Sequence, residues 1–367
     1  MFSKRPSFGS SDGALGAAIG RAREAFAGRG PSPAGGGVIA HPALGVAGAG
    51  LLFLLAIAGL IAVTGDPRAG APRVRLSLGH PAAPAAAGFN GPAASVTGPV
   101  ALASGPAGAA LPSAPIAGLT APGPGGLLPV IGPDGRTPAQ AYARPFHDTS
   151  APKVALVIGG LGLNAKSTRQ AIEDLPPEVT LSFVPYADGL QGWIDLARAG
   201  GHEVLLEAPM EPLDYPQNDP GPYTLMAADP APETVKRLEW LLSRATGYFG
   251  VTNYLGGRFL TSDPAMSAFS GALRQRGLAF IDDGAAAARG GNLPRASADR
   301  VIDQNLDGGS IDQELAGLEA SAQHQGRALG SGFAYPVTLQ EVQRWASGLA
   351  ARGFVLAPAS AVMSRRP

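Results

Sequence analysis

The sequence predicts an α/β fold, a distorted (β/α) barrel of seven or eight units over residues 151–367, preceded by a transmembrane helix and a disordered linker. Short apolar runs alternate with helical segments throughout the second half of the chain, which is typical of a parallel sheet with crossover helices. The first half is rich in Gly, Pro and Ala, and one uncharged apolar stretch interrupts it. These two halves therefore predict an anchored, tethered domain.

Composition and charge exclude several classes of protein. The chain has 52 Gly and 35 Pro among 367 residues, too many for one compact domain, while 45% apolar residues are too many for a wholly disordered protein. Cysteine is absent, which excludes a disulfide scaffold and thiolate sites. The net charge is zero, but residues 1–150 carry +5 and residues 151–367 carry −5. An acidic folded half is a poor binder of nucleic acid, so no nucleic-acid partner is expected.

The N-terminal 65 residues predict a membrane anchor. Residues 1–41 are polar and Gly/Ser-rich, and we expect a disordered cytoplasmic segment. Residues 42–65 contain no charged residue and are long enough to cross the roughly 30 Å apolar core of a bilayer. Five basic residues precede this span, so the positive-inside rule favours a cytoplasmic N-terminus. The prediction is a single-pass inner-membrane protein with a periplasmic C-terminal domain, and the alternative is a buried helix of a globular core. A signal peptide is disfavoured, because its apolar core is shorter and a long polar segment precedes this one.

Residues 66–150 read as a disordered linker. Within them, residues 76–133 contain no Asp, Glu, Lys or Arg, and eleven Gly and eleven Pro occupy 22 of the 58 positions. Gly and Pro are unfavourable inside helices and strands. We therefore expect a flexible, partly polyproline segment that holds the domain away from the membrane.

The second half alternates between predicted strands and predicted helices. The predicted strands are 154–158, 179–184, 203–206, 248–252, 278–281, 301–302, 328–331 and 354–356. The predicted helices are 166–174, 189–199, 233–244, 264–276, 311–325 and 339–351. This number of units fits a slightly contracted (β/α) barrel, and a doubly wound open sheet is the alternative.

Acidic residues follow several predicted strands. Asp282 and Asp283 end the fifth strand, and Asp303 follows the sixth. Catalytic groups of (β/α) barrels lie at the carboxyl ends of their strands, so these three residues are the predicted catalytic groups. The alternative is that they cap loops or helices.

The strand-end motifs resemble the divergent polysaccharide deacetylase family, a relative of the NodB-type carbohydrate esterases. The resemblance covers residues 153–360 and rests on 157–162 (VIGGLG), 201–206 (GHEVLL), 209–212 (PMEP), 250–253 (GVTN), 257–259 (GRF) and 280–283 (FIDD). It implies a barrel of the glycoside hydrolase/deacetylase type, an extracytoplasmic location and a carbohydrate substrate. The activity it implies is hydrolysis of a C–N bond in an acetylated sugar.

The chain departs from the family pattern at the residues that carry the chemistry. The aspartate pair usual at the end of the first strand is replaced by Gly159 and Gly160, and three usual histidines are replaced by Glu207, Tyr254 and Phe333. Deacetylation by this fold requires a divalent metal that polarises the carbonyl and activates water. With this ligand set missing, we predict no resident metal or other cofactor.

An altered metal site is the alternative. Five acids, Glu207, Glu211, Asp282, Asp283 and Asp303, could supply an all-carboxylate site for magnesium, calcium or manganese. Such a site would preserve hydrolysis without histidine ligands.

Aromatic and polar residues at the strand ends suit a sugar, whose faces are apolar and whose edges are polar. The predicted substrate-binding residues are Glu207, Glu211, Asn253, Tyr254, Arg258 and Phe333. Since Tyr254 and Phe333 stand at positions of family histidines, the mouth is predicted to be a binding pocket without a metal.

Three functions stay open on the sequence. The first is a membrane-anchored, deacetylase-like barrel with a degenerate site that binds an envelope glycan or an envelope protein. The second is an active carbohydrate deacetylase or hydrolase with the altered carboxylate site, and the third is a structural envelope scaffold. A dinucleotide site at 160–165 (GLGLNA) and a glycosidase pair of Glu207 and Glu211 are weaker alternatives.

Overall fold

A curled parallel sheet lies at the centre of the computed structural model, which describes residues 109–286 and 292–364. Along the chain the strands are β1 (Thr120–Gly123), β2 (Gly126–Pro129), β3 (Lys153–Leu161), β4 (Thr180–Phe183), β5 (Val204–Met210), β6 (Gly250–Leu255), β7 (Ala279–Asp282), β8 (Arg295–Ser297), β9 (Arg300–Val301), β10 (Arg327–Phe333) and β11 (Val355–Ala357). The helices are α1 (Pro138–Tyr142), α2 (Ala165–Asp174), α3 (Leu190–Ala199), α4 (Ala231–Leu242), α5 (Asp263–Gln275), α6 (Gly308–Gln325), α7 (Pro336–Leu349) and α8 (Ala359–Val362).

The sheet has the strand order β8-β7-β6-β5-β4-β3-β10-β9, and every neighbouring pair is parallel. The short segment 295–301 joins the two edges, because β8 pairs with β7 and β9 pairs with β10. Strand β11 pairs in parallel with residues 153–155 at the amino end of β3. Strand β4 pairs with β3 further along, at residues 157–161. The predicted α/β barrel-type fold is confirmed as a curled parallel sheet with crossover helices.

Alternate residues of the strands face two cores. In β3, Val154, Leu156 and Ile158 pack in the large core that includes residues of the surrounding helices, whereas Ala155 and Val157 belong to a smaller core. This alternation follows from the two-residue period of a strand. Because both faces are buried, the strand reads in the sequence as a continuous apolar run.

The smaller core is completed by residues that precede the barrel. Leu119 and Tyr142 belong to it together with residues of β5, β7 and β10. The backbone N–H of Ala139 donates to Gly277 O at 3.0 Å, and the N–H of Arg144 donates to Glu203 Oε2 at 3.0 Å. Gly277 and Glu203 precede β7 and β5, so segment 109–150 covers the amino end of the barrel.

Segment 109–150 differs from the expected linker, since β1 and β2 form an antiparallel hairpin and α1 follows. The glycines make this hairpin fit. Gly126 adopts a φ of +147°, and a Cβ there would lie 2.6 Å from Ser243 O, while Gly125 N–H donates to Ser243 Oγ at 2.7 Å. The glycines that make this segment resemble a linker are therefore the residues that allow its tight turn to lie against the backbone at Ser243.

The predicted membrane span 42–65 and the segment 1–41 lie outside the described residues. Of the helices that the structure does describe, none combines the length and apolarity that a membrane crossing requires.

Candidate functional site

A cavity of about 700 Å³ opens at the carboxyl ends of β3, β4, β5, β6 and β10. Its walls carry the aromatic rings of Tyr186, Tyr254, Phe333 and Tyr335, and the Glu207 carboxyl reaches it from β5. This is the end of the barrel where functional groups of the fold collect. The volume lies within the range of small-ligand sites.

Glu207 is the buried acid of this cavity. Its Oε1 accepts hydrogen bonds from the Gly160 N–H at 2.6 Å and from Ser182 Oγ at 2.9 Å. Its Oε2 is buried and has no hydrogen-bond partner among the described residues. Burial raises the pKa of the Glu207 carboxyl to about 7, against the lowering effect of the two hydrogen bonds. The carboxyl is therefore present in both its neutral and its ionised form near neutral pH.

Two glycines at the end of β3 make room for the side chains of Glu207 and Phe333. A Cβ on Gly159 would lie 2.9 Å from Glu207 Oε1 and 2.8 Å from Ser182 Oγ. A Cβ on Gly160 would lie 3.2 Å from Cδ1 of Phe333. Glu207 and Phe333 therefore occupy space that side chains at positions 159 and 160 would need.

Gly159→Asp is expected to lower the free energy of unfolding by about 2–4 kcal/mol at neutral pH, because it crowds Ser182 and places a second carboxyl beside Glu207. Urea denaturation measures the change. Gly192→Asp on the exposed face of α3, where a Cβ meets nothing within 4 Å, is the matched control and should change stability little. The double variant Gly159→Asp/Glu207→Ala should recover part of the loss. Wild-type stability of Gly159→Asp would contradict this packing.

The aromatic residues form a connected wall. The rings of Tyr254 and Phe333 meet edge to face with centroids 6.2 Å apart, and Phe333 lies 6.3 Å from Tyr335. Burial, and secondarily the charge of Glu207, raises the pKa of the Tyr254 hydroxyl, so this phenol is neutral at physiological pH. On the opposite wall the Tyr186 hydroxyl accepts the N–H of Tyr223 at 3.0 Å, which fixes its ring.

Asp303, predicted as catalytic, supports this wall from behind. Its Oδ2 accepts the Phe333 N–H at 2.7 Å and Thr338 Oγ1 at 3.0 Å. Burial raises the pKa of this carboxyl, and the two hydrogen bonds oppose that effect. Asp303 is outside the cavity lining, and in the structure it fixes the turn between β10 and α7 that presents Phe333.

Asp282, also predicted as catalytic, organises the loop after β7. Its Oδ1 accepts the N–H groups of Gly284 at 2.9 Å and Ala286 at 3.2 Å. Its Oδ2 accepts Ser297 Oγ at 2.6 Å and Arg295 Nη2 at 3.0 Å. Burial raises the pKa of Asp282, while these donors and the Arg295 charge lower it. Both oxygens are thus engaged within the protein.

Asn253 and Asp283 connect the ends of β6 and β7. Asn253 Oδ1 accepts the Asp283 N–H at 3.1 Å, and its Nδ2 donates to Leu255 O at 2.8 Å. The Asp283 carboxyl accepts the Ala285 N–H at 3.1 Å. These two predicted site residues shape the loop and are outside the cavity lining.

Glu211 and Arg258 form an ion pair away from the cavity lining, with Arg258 Nη1 3.3 Å from Glu211 Oε1. Glu211 Oε2 also accepts the Ala227 N–H at 2.7 Å, and Arg258 Nη2 donates to Leu213 O at 3.2 Å. The pair ties the long loop after β5 to the turn after β6.

Of the predicted site residues, Glu207, Tyr254 and Phe333 come together at the cavity. Sequence reasoning left out Ser182 and Asp219 as site residues. Ser182 lies inside an apolar strand, where its position opposite Glu207 depends on strand register, and Asp219 lies in a loop without a recognisable motif. The predicted catalytic and substrate-binding roles of all these residues stay predictions.

The cavity does not fit the metal that the family resemblance implies. The position above Gly159 is filled by Glu207 Oε1, which already accepts two hydrogen bonds. Of the five acids considered for an all-carboxylate site, only Glu207 lines the cavity. Within residues 109–286 and 292–364, no cluster of three or more His, Asp or Glu has a geometry that could hold a metal ion.

Comparison with known proteins places the chain in a family. The family model described as divergent polysaccharide deacetylase matches residues 156–363. The solved structure of an uncharacterized protein from Agrobacterium tumefaciens C58 is similar, with 40% sequence identity, a TM-score of 0.63, and coverage of 65% of this chain and 99% of its own. No curated protein sequence matches the chain.

A more distant likeness is to the catalytic domain of peptidoglycan N-acetylglucosamine deacetylase from Eubacterium rectale ATCC 33656. The identity is 12%, the TM-score is 0.42, and the match covers 61% of this chain and 96% of that domain. At this identity and TM-score the likeness carries no information on activity. The match of the family model over more than half of the chain does decide the family: the protein belongs to the divergent polysaccharide deacetylases.

Proposed function

We propose that the domain binds an envelope glycan in the cavity at the barrel mouth, as a deacetylase relative that has lost its metal chemistry. The observation that carries the proposal is a 700 Å³ cavity walled by four aromatic rings around a buried carboxyl that has one unpartnered oxygen. Aromatic faces bury the apolar face of a sugar ring, and a few polar groups fix its orientation. Membership of a polysaccharide deacetylase family supports a glycan as the ligand.

The charge of the cavity favours a neutral glycan. Its described lining includes the carboxyls of Glu207 and Asp219 and contains no Lys, Arg or His. An acidic sugar would meet two acids and no cation, which disfavours its binding. A neutral polysaccharide segment meets no such repulsion.

The proposal includes a place in the cell. The uncharged stretch 42–65 would anchor the protein in the inner membrane, and the Gly/Pro-rich linker would let the domain reach the glycan in the periplasm.

Calorimetry tests this function by measuring the binding of soluble glycan oligomers to the purified full-length protein in detergent. Tyr254→Ala and Phe333→Ala are each expected to weaken binding about ten-fold, since each removes an aromatic face from the cavity wall. Phe354→Leu, an aromatic substitution just before β11, is the control and should leave affinity unchanged. If the protein bound none of the neutral oligomers, the proposed function would be wrong.

A further inference from the structure

Three aromatic rings of the cavity wall are inclined to one another rather than stacked. The rings of Tyr254 and Phe333 make an angle of 82°, and those of Phe333 and Tyr335 make an angle of 58°. The neighbouring centroids are 6.2 and 6.3 Å apart. Rings inclined in this way can surround one group of a ligand from several sides, which is the arrangement of an aromatic cage. We call these three rings the aromatic corner.

The charged side chains of the cavity all have the same sign. Glu207 and Asp219 contribute carboxyls, and the described lining contains no Lys, Arg or His. The face of an aromatic ring is also negative, because its π electrons lie above and below the ring plane. Ring faces and carboxyls therefore both attract a cation, and no charged side chain of the described lining repels one.

The acceptor atoms of the wall distinguish between kinds of cation. Glu207 Oε1 already accepts two hydrogen bonds, and so does Asn164 Oδ1, which caps α2. Asp219 Oδ1 accepts the Gly221 N–H at 2.9 Å. A primary ammonium brings three N–H donors that need acceptors, whereas a quaternary ammonium has no N–H. Ring faces and nearby negative charge are therefore sufficient for a quaternary ammonium.

We propose that the aromatic corner of Tyr254, Phe333 and Tyr335 binds a quaternary ammonium group, and that Glu207 and Asp219 supply the compensating negative charge. The proposal goes beyond glycan binding, because it assigns the cavity a second class of ligand whose binding does not depend on a sugar. The positive charge of a trimethylammonium group is spread over its methyl groups. Its transfer from water to the aromatic corner therefore costs less free energy than transfer of a compact ammonium.

Choline is the probe for this site, and calorimetry measures its binding to the full-length protein in a non-ionic detergent. The control ligand is the neutral carbon analogue of choline, in which a tert-butyl group replaces the trimethylammonium group. This analogue keeps the shape of choline and lacks its charge. We expect choline to bind about ten-fold more tightly than the analogue. Ethanolamine, the primary ammonium analogue, should also bind more weakly than choline.

Substitutions separate the ring face from the charge. Tyr254→Leu should weaken choline binding roughly five-fold and binding of the neutral analogue much less, because leucine keeps apolar surface but has no π face. Tyr254→Phe keeps the face and should lose less affinity than Tyr254→Leu. Glu207→Gln removes a charge with little change of shape, so choline binding should weaken about three-fold at about pH 8. Phe354→Leu, which removes a ring outside the cavity lining, is the control.

Choline and phosphocholine, measured side by side, distinguish two sources of the cation. A lipid headgroup carries a phosphate next to the ammonium, so this source requires that phosphocholine bind as tightly as choline. Tighter binding of choline would assign the site to a cation without a neighbouring anion, which the two acids of the lining favour. Both results support a quaternary ammonium site.

Three results would overturn the proposal. They are the absence of choline binding, equal affinity for choline and its neutral analogue, and a loss in Tyr254→Leu that is the same for both ligands. A protein that binds choline but no neutral glycan would instead contradict the proposed function alone, so the two failures are distinguishable.

Discussion

The free energy of unfolding of the wild-type protein is expected to fall by roughly 3 kcal/mol between about pH 4.5 and pH 7 because of Glu207. Glu207→Gln is expected to abolish this fall. The ordinary pKa of the carboxyl is 4.5, and burial raises it to about 7 in the folded state. Over this window the folded protein binds more protons at Glu207 than the unfolded chain does. The stabilisation by the neutral acid is therefore complete below pH 4.5 and is lost as the pH rises through 7.

Urea denaturation of the wild type and of Glu207→Gln at a series of pH values measures this effect. We expect the free energy of unfolding of the variant to exceed that of the wild type by an amount that grows as the pH rises. The amide preserves the two hydrogen bonds to Oε1, so other changes in packing are small. Ser182→Ala should shift the upper end of the window to higher pH. A difference between the two proteins that is the same at every pH would show that Glu207 does not titrate as described.

The alternation of strands and helices could be predicted because it depends on local residue patterns. The predicted helix 166–174 is Ala165–Asp174 in the structure, and the predicted strand 278–281 is Ala279–Asp282. Apolar runs and amphipathic spacing determine these elements within a few residues of sequence. The hairpin β1–β2 could not be found in this way, because its Gly/Pro-rich residues are ordered only by contacts with Ser243 and other distant groups.

The site was predictable in position but only partly in composition. The carboxyl ends of the strands do form the mouth, yet Asp282 and Asp303 turn their carboxyls to loop N–H groups. Turns that follow strands leave backbone donors without partners, and a buried acid is an effective acceptor for them. Whether a strand-end acid faces the cavity or its own loop depends on side-chain placement across strands. Of the strand-end acids Glu207, Asp282 and Asp303, Glu207 is the one with a buried oxygen that lacks a hydrogen-bond partner among the described residues.

Arg198→Ala is expected to lower the free energy of unfolding by about 3–5 kcal/mol. The Arg198 side chain is 1% exposed and donates to Pro112 O at 2.9 and 3.1 Å, Tyr142 O at 3.1 Å and Gly247 O at 3.0 Å. Its guanidinium also lies over the Tyr142 ring, 5.0 Å from the centroid. Burial lowers the pKa of Arg198, which reports the cost of enclosing this charge. Truncation would leave three carbonyl groups without their donor and a cavity beneath segment 109–150.

The loss should fall first on that segment, because two of the three carbonyls belong to it. Hydrogen exchange should show faster opening of α1 in the variant than in the wild type, and urea denaturation should give the total change. Arg198→Lys keeps the charge but lacks the planar array of donors, so we expect a smaller loss. Arg274→Ala, an exposed arginine near the end of α5, should change stability by less than about 0.5 kcal/mol. If Arg198→Ala cost no more than this control, segment 109–150 would not depend on Arg198 for its attachment to the barrel.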